Sequence, residues 1–366
     1  MTDTDIQSFL DIEPIEEGQL ETPVPVVELD VVDRNIRRWQ ERCDALGMAN
    51  RPHIKTHKLV GLAKFQIAVG AKGITVQKLG EAEVMADGGI TDMLMTFNVV
   101  GEPKLKRLAA LARRTDISVV ADNAAVVQGL GKAGRDAGRD IAVLVECETG
   151  ADRNGVASPS DAAELARIID NSDGLRYGGL MTYPAPGTRS AAVAFLTEAR
   201  ERISAAGLET AVISSGGSPD MWSDEGLAPI TEYRAGTYVY FDRALIKFGA
   251  CTLEDCALKL RATVVSVPTA DRAILDSGSK ALTSDLNGLS DHGCVPVLSD
   301  ARVYKLNEEH GYLDISGVAA PPKVGDLLDV VPNHVCPVSN LFDKIAVARG
   351  GHVLGLVRVD ARGLVW

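Results

Sequence analysis

Between residues 48 and 238 the chain alternates eight short β-prone segments with seven helix-like stretches. The β-prone segments lie near 48–54, 73–77, 92–97, 117–121, 141–146, 176–182, 210–214 and 231–238. The stretches between them include GEPKLKRLAALARR, PSDAAELARIIDN and AAVAFLTEARERISAAG. Two parallel strands cannot be joined by a tight turn; they need a crossover, usually a helix. Alternation of this kind therefore predicts βαβ units and a parallel sheet. Eight units predict an α/β chain with a closed (β/α)8 TIM barrel, and a doubly wound open sheet is the alternative.

The rhythm stops near residue 245. LKLRATVVSVPTADRAILDSGSKALTSD, ARVYKLNEEHGYLDISG and VGDLLDVVPNHV carry β-like runs broken by Pro, Gly and Asp, without a long amphipathic helix. This predicts a barrel over 22–245 and a mainly β C-terminal domain over 246–366, with residues 1–30 an arm or strand packing on it. The prolines of TPVPVVELD predict a short edge strand. Asp30 is expected to cap the next helix, whose stripe is Val32, Ile36, Trp39, Cys43 and Leu46, and Gly47 to end it.

Composition narrows the function. Acids outnumber bases 50 to 38, a net charge of −12. Nucleic acid and anionic membranes need a positive footprint, so neither is an expected partner. No run of about 18 apolar residues exists to span a bilayer, and the acidic N-terminus does not resemble a signal peptide. Six cysteines without a CxxC pair favour a reduced cytoplasm over a disulfide scaffold.

Barrel enzymes build their sites at the C-terminal ends of the strands. The first β segment ends in Arg51-Pro52-His53-Ile54-Lys55-Thr56-His57-Lys58. A lysine crowded by cations and desolvated there becomes a nucleophile able to form a Schiff base. The seventh segment ends in Ser215-Gly216-Gly217-Ser218 and the eighth in Gly236-Thr237-Tyr238. Small residues in these two loops let backbone N–H groups ring a phosphate. A phosphate near Lys55 points to pyridoxal 5′-phosphate (PLP). Gln77, Arg153 and Tyr183 end the second, fifth and sixth segments, where they can touch the cofactor ring or a substrate carboxylate. Glu146, Glu148 and Asp152 are read as partners of Arg153.

In the tail, His334 and Cys336 stand at i, i+2 in PNHVCP, read as extended chain with both side chains on one side. Imidazole plus thiolate suits a divalent ion, and two ligands leave room for substrate. His310 is a weaker third candidate; His292 and His352 read as surface residues. Gly129-Leu-Gly131-Lys-Ala-Gly134 matches GxGxxG but follows a helix-like run, which argues against dinucleotide binding.

RPHIKTHK, TVQKLGEAEVMADGGI, DRNGV, SSGGSP, EYRAGTY and PNHVCP occur in this order. Together they resemble the D-threonine aldolase and D-serine dehydratase family of fold-type III PLP enzymes, from about residue 22 to the C-terminus. The resemblance implies an alanine-racemase-like barrel, a homodimer and a small amino-acid substrate. It implies that Lys55 carries PLP as a Schiff base, with His53 and Tyr183 as further catalytic groups. Gln77, Arg153, Ser215, Gly216, Gly217, Gly236, Thr237 and Tyr238 would complete the cofactor site. His334 and Cys336 would hold a divalent metal (Zn, Mn or Mg). Two segments bear on the family pattern: ETGADRNGV replaces DTGxxRCGV, and Cys336 follows the His-x-Cys of dehydratases rather than the His-x-Asp of aldolases. The expected reaction is retro-aldol cleavage of a D-β-hydroxy amino acid to glycine and an aldehyde. Dehydration of D-serine or 3-hydroxyaspartate to a 2-oxo acid and ammonia is the alternative, and racemisation is less favoured.

Overall fold

The computed structural model describes residues 4–366. It separates into two compact units. The barrel unit comprises 39–55, 66–236 and 364–366; the β-rich unit comprises 4–38, 56–65 and 237–363.

The barrel's eight strands are Ala49–Asn50, Ile74–Val76, Asp92–Met95, Asp116–Ala121, Ile141–Cys147, Leu175–Thr182, Ile213–Ser215 and Glu232–Tyr233. They are strands one to eight below. All pairings between them are parallel, and neighbours follow chain order. A parallel bridge between His53 and Thr75 joins strand one to strand two and closes the ring. Thr75 N–H donates to Pro52 O at 2.8 Å, and Lys72 N–H to Asn50 O at 2.9 Å. The open-sheet alternative is thereby excluded.

Local sequence accounts for these elements. Strand five, IAVLVEC, is buried at every position, as a parallel strand covered on both faces must be. The helix Pro159–Asp170 starts with Pro at its first position, while the Ser158 hydroxyl accepts the Asp161 N–H at 3.1 Å. Its Ala162, Leu165, Ala166 and Ile169 form the buried stripe.

The barrel also encloses charge. Arg51 donates to Glu232 at 2.7 Å and to Asp92 at 2.6 Å. Ser214 donates to Glu232 at 2.6 Å, and Arg234 donates to Ser214 at 2.8 Å. This chain of bonds ties strands one, three, seven and eight together. A buried charge is tolerated only when it is paired in this way.

In the β-rich unit six strands form a second closed ring: Leu258–Thr269, Arg272–Leu275, Gly311–Asp314, Arg302–Leu306, Gly293–Cys294 and Leu327–Pro332. Leu260, Val264, Leu275, Val303, Leu313 and Val330 fill it.

Three local expectations need correction. Val24–Glu28 is not an edge strand: it pairs with Leu258–Thr269 on one side and Lys344–Arg349 on the other. Its pairing on the second side begins at Val26, beyond both prolines, so no ladder donor is missing there. The following helix, Leu29–Ala45, starts two residues early, which places Asp30 in the first turn rather than at the cap. His292 is not a plain surface residue, because its Nδ1 is buried without a hydrogen-bond partner. The GxGxxG run lies inside the helix Ala124–Ala137. A Cβ on Gly134 would overlap the Gly174 carbonyl, so this glycine serves close packing rather than a phosphate. Among the described residues no helix is long and apolar enough to cross a membrane.

The Arg51–Glu232 pair gives a stability prediction. Burial opposes ionisation of Glu232, but Arg51 outweighs it and holds the carboxyl below its ordinary value. Glu232→Gln should cost about 1–3 kcal/mol in urea denaturation at neutral pH, because it leaves Asp92 alone to neutralise the buried Arg51. A carboxyl depressed in the folded state stabilises fully above its unfolded pKa of about 4.3, and that contribution is lost as pH falls through the folded value. The difference between wild type and variant should therefore shrink in acid. An unchanged midpoint at neutral pH would contradict the pairing.

Candidate active site

Strand one delivers His53 and then leaves the barrel through the 3₁₀ turn Ile54–Thr56, which leaves the Lys55 side chain exposed. His53 Nδ1 accepts the Lys55 backbone N–H at 3.4 Å. The proton therefore sits on Nε2, which donates to Gln77 Oε1 at 3.0 Å. The Gln77 amide donates in turn to Thr96 O at 3.1 Å. Strand ends one, two and three are thus linked beside Lys55. His57 and Lys58 belong to the β-rich unit and are buried there, with Lys58 Nζ donating to Ala361 O at 3.4 Å.

The loop after strand seven is shaped around glycine. Gly216 has φ +91°, and a Cβ there would overlap the Tyr233 ring. A Cβ on Gly217 would lie 2.8 Å from Tyr183 Cε2. Tyr233 fixes the loop by donating to Gly217 O at 3.0 Å and accepting from Arg189 at 3.0 Å. From strand eight, Gly236 N–H donates to Ser218 Oγ at 3.3 Å. Buried Ser215 accepts the Arg234 N–H at 3.1 Å. A side chain at either glycine would collide with these tyrosine rings, so the loop stays bare backbone beside the Ser218 hydroxyl, a small polar lining that fits a phosphate.

After strand five, the Glu148 carboxylate accepts the backbone N–H groups of Gly150, Asp152 and Arg153 at 2.6, 3.0 and 3.0 Å. Burial opposes ionisation of Glu148, but these bonds outweigh it and hold its pKa below the ordinary value. Glu148 is therefore not the partner of the Arg153 guanidinium; it folds the loop that carries it. That guanidinium bonds Asn154 Oδ1 at 3.1 Å and stands 5.0 Å from the Tyr183 ring centroid. This is within cation–π range.

Two charged residues lie beneath this end of the barrel: Glu146, read from the sequence as a partner of Arg153, and Arg234, which the sequence reading did not single out. Glu146 is buried, with Oε2 lacking a partner. Burial drives its pKa up to about 7 against the pull of Arg153 and Arg234. Arg234 donates to Thr182 O at 2.6 Å, and burial brings its pKa down to about 10. Arg234 lies within EYRAGTY, two residues before Gly236. A cation flanked by strand residues inside a barrel was the available signal.

The β-rich unit holds the remaining candidates. His334 caps the short helix Val335–Leu341, and Cys336 lies in its first turn, so this segment is not extended. His334 lies beside Cys336, whose charge acts on its imidazole, and it meets Asp285 through Nδ1···Oδ2 at 2.8 Å. Burial opposes protonation of this imidazole, but Cys336, Asp285 and Asp242 outweigh it and push its pKa up to about 9. Cys336 Sγ lies 3.2 Å from Thr56 Oγ1 and 3.8 Å from Thr237 Oγ1. Thr56 and Thr237 follow Lys55 and Gly236 directly in the chain. Tyr238 is fully buried. His310 is exposed at a turn between two strands, and among the described residues no set of three His, Cys, Asp or Glu is arranged to hold an ion. The donors are therefore a pair, whose imidazole and thiol chemistry fits an open site for a borderline metal.

The cradle generates a prediction. Gly216→Ala should lower stability by about 1–3 kcal/mol by driving Tyr233 out of place. The intrinsic fluorescence of the Tyr233–Trp39 edge contact, 5.1 Å between centroids, should change with it. An unperturbed thermal midpoint and emission spectrum would contradict the close approach.

Known proteins resemble this chain over nearly its whole length. Residues 27–244 match the alanine racemase N-terminal domain, and 257–348 match the putative serine dehydratase domain. D-threo-3-hydroxyaspartate dehydratase from Delftia sp. (strain HT23) is 34% identical, over 91% of this chain and 96% of that protein. D-threonine aldolase from Arthrobacter sp. is 33% identical over 94% of each chain. The crystal structure of D-threonine aldolase from Filomicrobium marinum superposes with a TM-score of 0.90, at 30% identity, over 96% of this chain and 99% of that one. A racemase-type barrel domain, with such relatives spanning nearly the whole length, means that the chain belongs to the lyase family of D-threonine aldolase and D-threo-3-hydroxyaspartate dehydratase.

Proposed function

We propose that this protein is a PLP- and divalent-metal-dependent lyase that cleaves D-configured β-hydroxy amino acids at Cα–Cβ, giving glycine and an aldehyde. The observation that carries this reading is the 3.2 Å bond between Cys336 and Thr56, the residue that follows Lys55. It supports a shared role for the His334–Cys336 pair and the segment that leaves strand one. Membership of the family implies PLP, and the glycine cradle after strand seven fits its phosphate.

When bound, PLP supplies an electron sink for charge at Cα, and a divalent ion (Zn, Mn or Mg) lowers the pKa of a coordinated hydroxyl. The side chains supply the rest. Lys55 provides the amine that holds the cofactor and can move a proton at Cα. Ser215, Gly216, Gly217, Gly236 and Thr237 secure the phosphate. His53, fixed as the Nε2–H tautomer, orients Gln77 toward the cofactor ring. Arg153 and Tyr183 bind the ring or the substrate carboxylate, and Tyr238 supports the eighth loop from within. His334 and Cys336 hold the ion against the β-hydroxyl.

The thiol of Cys336 beside His334 favours a second reading, dehydration of D-serine or D-3-hydroxyaspartate to a 2-oxo acid and ammonia. Family resemblance and six free cysteines support a homodimer in a reducing cytoplasm.

Incubation with D-threonine, D-serine and D-3-hydroxyaspartate should yield glycine and an aldehyde. A 2-oxo acid with ammonia would select the second reading, and neither product set would contradict both. Lys55→Ala should lower turnover at least about 100-fold and remove the visible absorbance of bound cofactor. An intact band would contradict the role of Lys55. Chelation should abolish activity reversibly, whereas full activity in metal-free enzyme would remove His334 and Cys336 from the mechanism.

A further inference from the structure

We propose that Asp285 is a positioning residue that fixes the His334 ring for metal binding. This rests on the metal reading above. The His334 backbone and the His334 ring are held by different groups. Asp242 Oδ2 accepts the Val335 N–H at 3.2 Å while its Oδ1 accepts the Leu245 N–H at 3.0 Å. Arg243 donates to Asn333 Oδ1 at 2.7 Å. These bonds set the chain path on both sides of His334 but leave ring rotation free. Asp285 arrives from a loop 49 residues upstream and takes Nδ1 at 2.8 Å. A carboxylate on Nδ1 holds that nitrogen as the donor, which leaves Nε2 as the nitrogen that an ion would take. The same contact makes the imidazole a stronger donor.

The contact is poorly explained as a stabilising ion pair. The Asp285 side chain is 47% exposed and that of His334 31%. Exposed pairs of this kind contribute about 0–1 kcal/mol. Loss of Asp285 should therefore leave the fold almost untouched while loosening the ring, which makes ion affinity and stability separable.

The test measures zinc binding to the PLP-loaded, metal-stripped protein by competition with a chromophoric chelator. Wild type should bind one zinc ion per chain. D285A should bind the same number about 10- to 100-fold more weakly, with D285N between the two and D285E restoring part of the loss. Thermal midpoints and PLP content should stay at wild-type values. D285N, which is isosteric, serves if the alanine variant loses its fold. Unchanged zinc affinity in both variants would overturn the inference. Complete loss of the site, as in H334A, would also overturn it, because Asp285 would then be a ligand. Failure of wild type to bind zinc would sink the metal reading and this inference with it.

Discussion

The bridge between His53 and Thr75 does more than complete a ring. Strand one has only two residues in regular pairing, Ala49 and Asn50, and a strand so short cannot seal a barrel alone. The seal depends on Thr75, which bonds the chain at Pro52 through its N–H and at Arg51 through its hydroxyl, each within 2.9 Å. Closure at that height fixes where strand one ends. It ends at His53, whose ring then holds the Lys55 N–H on one side and Gln77 on the other. The direction in which the chain leaves the barrel at Lys55 follows from this contact.

Burial of charge is the second constraint. Arg51, Glu232 and Arg234 sit in a space that a simpler barrel would fill with aliphatic side chains. Each is paired, and the pairs cross between strands, so they hold strand register as well as charge. Glu146 is the group least satisfied, and its raised pKa is the cost of burial only partly offset by Arg153 and Arg234.

Much of the fold was legible because parallel strands covered by helices are simple to recognise. Segments such as IAVLVE are short apolar runs, helices such as Pro159–Asp170 carry a clear stripe, and each of the eight segments contains a strand. Single residues were less legible. Pro23 and Pro25 suggested an edge, but a ladder that begins beyond them has no need of their missing donors. His334 and Cys336 were expected on one side of an extended segment, but His334 stands at the N-cap of the helix Val335–Leu341 and Cys336 in its first turn. Glu148 was assigned to a guanidinium when it binds backbone, because a sequence cannot show that a loop folds around a carboxylate. Asp285 had no local signal, since its partner lies 49 residues away.

The central claim is that Lys55, among the lysines of this chain, is the one that holds the cofactor. Reductive trapping of the PLP-loaded protein with borohydride, followed by peptide mapping, tests it directly. The account predicts a single phosphopyridoxyl group on Lys55. Modification at Lys58 or Lys78 instead, or no stoichiometric modification, would contradict it.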